Sequence, residues 1–319
     1  MNTRITTIAA FAAACLAGST AYGKHKSTSD DSKYVKPMKK VIEPVQESCI
    51  TGDIGFDIVS NYIRHGVVQQ NQGFIIQPYA DLHFRIYKGA GALTSVTADI
   101  GIWNSFHSHR PGVGGTTRNW YEFDFQTGLT LNFNKLALGG YFKTYESPSD
   151  QFNNAYAIGI SLAYDDSDAL GAFALHPYAF AELNVQGTTG NNFPFAAGIP
   201  RSSPSYHGRG QYYEVGIAPG HTWGALTLSL PLSVGFGSGG FYLGNRGFGF
   251  VGVGVKANYA LNFVPACLGK WSLSSGFTYY RLGGNSGPVG RSGAAGLGGG
   301  QFITDKNELV FQGGMKVAF

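Results

Sequence analysis

A chain of 319 residues that is 13% charged and 14% aromatic, with 47 glycines, carries about half the ionic side chains of an ordinary soluble protein, whose charged share is roughly 25%. That excludes a conventional water-covered globule unless the surface is built from Gly, Ser, Asn and Thr, and the lack of a three-residue glycine period excludes collagen. The formal charge of +4 does not argue for a nucleic-acid partner, because from Val41 onward 16 basic residues face 17 acidic ones.

The first 23 residues read as a secretory leader: "MNTR" is a short positive end, "ITTIAAFAAACLAG" an apolar run, and Ala21 and Gly23 the small residues before a cut. Residues 24–49 follow as a polar, basic linker; "KHKSTSDDSKYVKPMKK" holds six Lys and two Asp. Such a segment links, plugs a lumen, or touches peptidoglycan through its lysines. No later run reaches the ~18 apolar residues of a membrane helix.

From residue 50 to 319 the pattern alternates with period two. The first predicted strand spans about 52–63, the second 74–86, the third 92–103. The fourth, "NWYEFDFQTGLTLNF", sets Tyr121, Phe123, Phe125, Leu129 and Leu131 against Glu122, Asp124, Gln126 and Thr130. Further strands are expected near 135–145, 154–164, 173–185, 210–218, 222–234, 247–261, 271–282 and 309–319, with a hairpin turn at "PGH" joining the eighth and ninth. Pro78, Pro177 and Pro231 fall in or beside these runs and require bulges or local gaps in a ladder.

Connections alternate in length, the even ones being short. Twelve strands of this size, with tight turns at one end and longer loops at the other, fit a transmembrane antiparallel up-and-down β-barrel, an all-β fold. A closed barrel leaves no edge in lipid, and an apolar exterior explains the low charge. The expected location is the bacterial outer membrane, with its lipid as the surrounding partner.

The chain closes on "NELVFQGGMKVAF". A last strand ending in Phe319 with apolar residues at alternate positions resembles the signal read by the barrel assembly machinery. More narrowly, "SNYIRHGVVQQNQGFIIQPYADLHF" resembles the start of the TorF-type porins of Proteobacteria, in which an aromatic–x–Arg–Gly turn is followed by Gln–Pro. Tyr62, Arg64, Gln77 and Pro78 match that outline and His65 interrupts it. The resemblance implies a porin-like barrel and covers the first two strands.

The polar face offers the candidate lumen lining: Asp53, Asp57, Asp81, Arg85, Asp99, Glu122, Asp124, Lys143, Glu182, Glu214, Lys256 and Lys316. In a water-filled channel these groups stay solvated and bias which ions pass; in a narrow barrel they pair across the interior and fill it. Acids outnumber bases on this face, which points to cation preference. His107, Ser108 and His109 are expected in a loop, without the Asn–Gly context of the lipid-hydrolysing barrels, so no catalytic residue is assigned. The other histidines are scattered, and no metal site or cofactor is read. Cys49 and Cys267 map to the same rim, and a disulfide between them would fasten the N-terminal segment. The function expected is passive diffusion of small polar solutes or ions, narrowed by inward side chains or by the loops at 187–210 and 283–308. The alternative is a non-conducting surface barrel that adheres through its Gly-rich loops.

Overall fold

Alternation becomes a wall because a strand points successive side chains to opposite faces. The computed structural model describes residues 48–109, 119–149, 154–186, 210–242, 245–283 and 306–319. Its strands are β1 (Ile50–Val59), β2 (Tyr62–Arg64), β3 (Val67–Gln70), β4 (Ile75–Lys88), β5 (Ser95–His107), β6 (Trp120–Phe133), β7 (Leu136–Tyr145), β8 (Ala155–Tyr164), β9 (Tyr178–Gln186), β10 (Gln211–Ile217), β11 (Gly220–Trp223), β12 (Leu226–Ser229), β13 (Leu232–Tyr242), β14 (Asn245–Ala260), β15 (Lys270–Leu282) and β16 (Asn307–Ala318). A single helical turn, α1 (Ser167–Leu170), and a 3-10 turn (Gly171–Phe173) lie between β8 and β9.

Each wall strand pairs antiparallel with its neighbours, and β1 closes on β16 through pairs from Asp53↔Ala318 to Val59↔Gln312. The prolines explain why the ladder has more segments than the wall has strands. Pro219 separates β10 from β11 and Pro231 separates β12 from β13, yet β11 pairs with β12 and β12 with β14. Each couple is therefore one bent strand, and twelve antiparallel strands make a closed barrel among the described residues. No described helix is long and apolar enough to cross a membrane.

Two sequence expectations need correcting here. The turn between the eighth and ninth wall strands is not at "PGH" but at residues 223–226, where Gly224 takes φ 62°; only a residue tolerant of positive φ closes so short a turn. The seventh strand begins at Tyr178 rather than near residue 173. Asp166 intervenes: its carboxylate accepts the backbone N–H groups of Leu175 and His176 at 2.9–3.1 Å, holding that stretch in a turn. Pro78 occupies a lapse in the β4–β5 ladder, between the pairs Ile76↔Phe106 and Tyr79↔Trp103.

The outer face is apolar. Ile54, Leu82, Ile100, Leu129, Ile160 and Val253 are all exposed. Exposed aromatic rings flank them: Tyr87, Tyr164, Trp223 and Tyr259 toward the short turns, and Phe74, Trp120 and Tyr279 toward the long connections. This inverts a soluble protein, and the aromatic belts match those of barrels in a bilayer. The 14 residues of β4 span about 46 Å at ~3.3 Å each, or about 33 Å across a membrane when tilted ~45°, close to the ~30 Å hydrocarbon thickness.

The outward position of Ile160, 62% exposed midway along β8, predicts that Ile160→Lys destabilises the protein in lipid vesicles by about 2–4 kcal/mol. Urea titration followed by gel mobility of the folded form measures this loss.

Candidate functional site

The inward face divides by depth. Toward the short-turn rim it is open and charged. Lys316 Nζ lies 3.4 Å from Asp53 and His83 Nδ1 lies 3.0 Å from Asp99. Thr130 Oγ1 donates to Asp99 at 3.0 Å, and Gln312 Nε2 donates to Asp57 at the same distance. Asp81 is the register partner of Asp53, Lys256 pairs in register with Ser229, and Arg85 at the rim donates to the Ser48 carbonyl at 3.2 Å. Small residues on β7 and β8, including Gly139, Ser161 and Ala163, leave a recess that is open to solvent and bordered by Asp81, His83, Asp99, Tyr141 and Tyr178.

The other half is filled by the chain itself. The first strand stops at Val59 rather than near residue 63, and "YIRHGVVQQ", expected as the end of that strand followed by a connection, folds into the barrel as the hairpin β2–β3, a two-stranded sheet separate from the wall. Its turn explains how. His65 and Gly66 have φ of 51° and 79°, the paired positive values of the turn that joins two twisted strands most tightly. The apolar residues Ile63, Val67 and Val68 are buried with it.

The hairpin reaches across the lumen. At its root Asn61 donates to Glu308 at 2.7 Å, and Tyr62 donates to Glu122 at 2.8 Å. Arg64 forms an ion pair with Glu122 at 2.9 Å while its guanidinium sits 5.4 Å from the centre of the Tyr145 ring. His65 packs against Tyr212, with ring centres 4.2 Å apart, faces Phe241 at 5.5 Å, and lies 3.9 Å from the Glu182 carboxylate. At Gly66 a Cβ would come within 2.8 Å of Phe250 on β14.

The wall around the hairpin is prepared for it. Ser105 pairs with Glu122 but Phe106 pairs with Trp120, so Tyr121 is the extra residue of a bulge, which turns two successive side chains to one face. Tyr121 is consequently buried inside and donates to Gln69 of the hairpin at 2.8 Å, whereas strict alternation predicts it outside. Glu182 accepts from Tyr145 at 2.7 Å, and Glu214 accepts from Tyr212 at 2.6 Å and Tyr178 at 3.0 Å. Lys143 lies 3.8 Å from Asp124 and 4.7 Å from the Tyr145 ring centre.

The histidine group also divides. His107 is the last residue of β5, buried, with Nε2 2.9 Å from Ser105 Oγ and its ring stacked 4.3 Å from Tyr121; it is not a loop residue. Ser108 and His109 lie beyond the strand, where Ser108 accepts the Phe74 N–H at 2.7 Å. Asp165, Asp166 and His176 bring potential ligand atoms within 4.8 Å of one another at a short turn, but the Asp166 oxygens already accept backbone N–H groups there.

Cys49 and Cys267 are free and exposed, and the expected disulfide is not formed. Cys49 precedes β1, Cys267 lies in a 3-10 turn (Ala266–Leu268) before β15, and β16 runs between those two strands. The loops at 187–210 and 283–308 fall largely outside the described residues, as does the segment before residue 48.

No protein-family model and no curated protein matches the chain. Among solved structures, it is similar to an outer membrane channel from Pseudomonas putida F1, at 12% identity over 90% of this chain and 100% of that one, with a TM-score of 0.50. The NanC porin is a second, at 7% identity over 83% and 98% of the two chains, with a TM-score of 0.43. The first likeness establishes the fold. It is that of outer-membrane porin-like barrels.

Removing either partner of the Arg64–Glu122 pair strands a buried charge, which costs about 3–5 kcal/mol. Arg64→Met and Glu122→Gln are each expected to destabilise the barrel on that scale, and the double variant by clearly less than their sum. A double-mutant cycle of urea unfolding in lipid vesicles checks the coupling.

Proposed function

We propose that the protein is an outer-membrane channel for small polar solutes or ions whose lumen is narrowed by its own β2–β3 hairpin. The observation that carries this reading is the polarity of the interior. The barrel turns carboxylates, Lys143, Lys256 and Lys316 inward on most of its wall strands, and leaves a solvent-open recess at the short-turn end. A barrel that served only as a surface support has no need of ionisable side chains on its inner wall, where an apolar filling is less costly. Asp53, Asp57, Asp81, Arg85, Asp99, Lys256 and Lys316 act in this reading as the pore lining, and their small acidic excess favours cations, whereas Glu122, Asp124, Lys143, Glu182 and Glu214 are buried around the hairpin.

The hairpin makes the channel restricted rather than general. It hydrogen-bonds to the wall through side chains, whereas its backbone pairs with itself. It is therefore able to shift without breaking the barrel ladder. The matching residues of the TorF-type porins, Tyr62 and Arg64, are the ones that anchor it to Glu122. In the same reading residues 1–23 are removed on export, residues 24–49 form a periplasmic linker, residues 50–319 form the barrel, and the β16 end at Phe319 is read by the assembly machinery.

Single-channel recording in planar bilayers across a salt gradient tests the reading. The full chain is expected to show small cation-selective openings, and a variant in which a short Gly-Ser link replaces residues 62–70 is expected to conduct several-fold more. If that variant folds and inserts yet conducts no more than the full chain, the channel reading fails.

A further inference from the structure

The hairpin's two basic side chains rest in a receptor made entirely by other strands. Among the described residues, the wall around the hairpin supplies the carboxylates of Glu122, Asp124, Glu182 and Glu214, with Glu308 at the hairpin's root, and the Lys143 ammonium. Tyrosines hold two of the carboxylates in place, since Tyr145 donates to Glu182 and Tyr212 to Glu214. The same rings present their faces: Tyr145 to the Arg64 guanidinium, and Tyr212 with Phe241 to the His65 ring. Fixed carboxylates beside aromatic faces, shielded from water, form the environment that recognises a planar organic cation, through charge pairing and cation–π attraction together.

We propose that this cradle is a binding site for small organic cations bearing a guanidinium or amidinium group, and that Arg64 and His65 occupy it as a built-in mimic of that ligand. The proposal rests on the channel reading for its biological sense but not for its geometry. Three features support exchange rather than permanent filling. The hairpin belongs to a sheet of its own, so its departure breaks no wall pairing. The cradle residues sit on paired strands β6, β7, β9, β10 and β13, so the site keeps its form when emptied. Departure of the hairpin also removes the Arg64 charge from beside Glu122, and an incoming cation restores it. A ligand that must displace an internal competitor binds more weakly by the fraction of time the site is vacant.

Agmatine is a suitable probe, with butyrate and sodium at equal ionic strength as controls, and titration calorimetry on detergent-folded protein is the readout. The variant with residues 62–70 replaced is expected to bind agmatine saturably, at least about tenfold more tightly than the full chain, and to ignore butyrate. Glu122→Gln with Glu182→Gln in that background is expected to abolish binding. A second measurement keeps the full-length hairpin: ethylguanidinium, at concentrations well below denaturing ones, is expected to raise the midpoint of thermal unfolding of Arg64→Ala but not of the parent chain. Absence of saturable binding to the folded hairpin-less variant overturns the proposal, as does binding that survives loss of both carboxylates. Because neither readout involves conductance, a silent bilayer would remove the channel reading and leave this one standing.

Discussion

Everything in this structure depends on the ladder being closed. The β1–β16 pairing gives the first and last strands the hydrogen bonds that a sheet edge would lack, and unpaired backbone groups cost several kcal/mol each in a hydrocarbon environment. Once the backbone is satisfied internally, the side chains are free to invert the usual distribution, with Ile160 and its neighbours outside and the acids within. Polar groups inside then need water or partners, and the molecule uses both: a solvent-open recess near the short turns, and a tyrosine-braced network toward the long connections.

That network shows how a small barrel accommodates buried charge. Glu122 holds Arg64 and Tyr62 at once, and Glu214 accepts two phenolic hydroxyls, so each carboxylate has more than one donor. The arrangement trades some stability for specificity, since an apolar filling of the same shape would be at least as stable. What the apolar filling would lack is any means of responding to a charged solute.

The wall was largely legible in the sequence because period two is a strong signal over strands of this length. β6, β14, β15 and β16 fall within a few residues of their predicted spans. Errors arose where one local event outranked the pattern. A single bulge carried Tyr121 inside, the Asp166 carboxylate delayed β9, and Pro219 bent a strand that the pattern ended. The plugging hairpin is hidden in the sequence because "YI" continues the alternation of the first strand and "HGVVQQ" reads equally well as a polar connection. Its clue was the apolar content of Ile63, Val67 and Val68 around a His–Gly turn, a combination that water would not favour. The pairing of Arg64 with Glu122 is a contact between distant segments and had no local trace at all.

The place of the hairpin in the chain carries a consequence for how the protein reaches its fold. It follows the first wall strand, but its receptor is assembled from β6 through β14, most of the chain later. Its tight His–Gly turn can close within microseconds by local contacts alone, so the element exists long before it has anywhere to dock. Docking must wait until distant strands have paired, and non-local pairing is the slow part of folding an all-β chain. The seating of the hairpin therefore depends on contacts that only strands far along the chain supply.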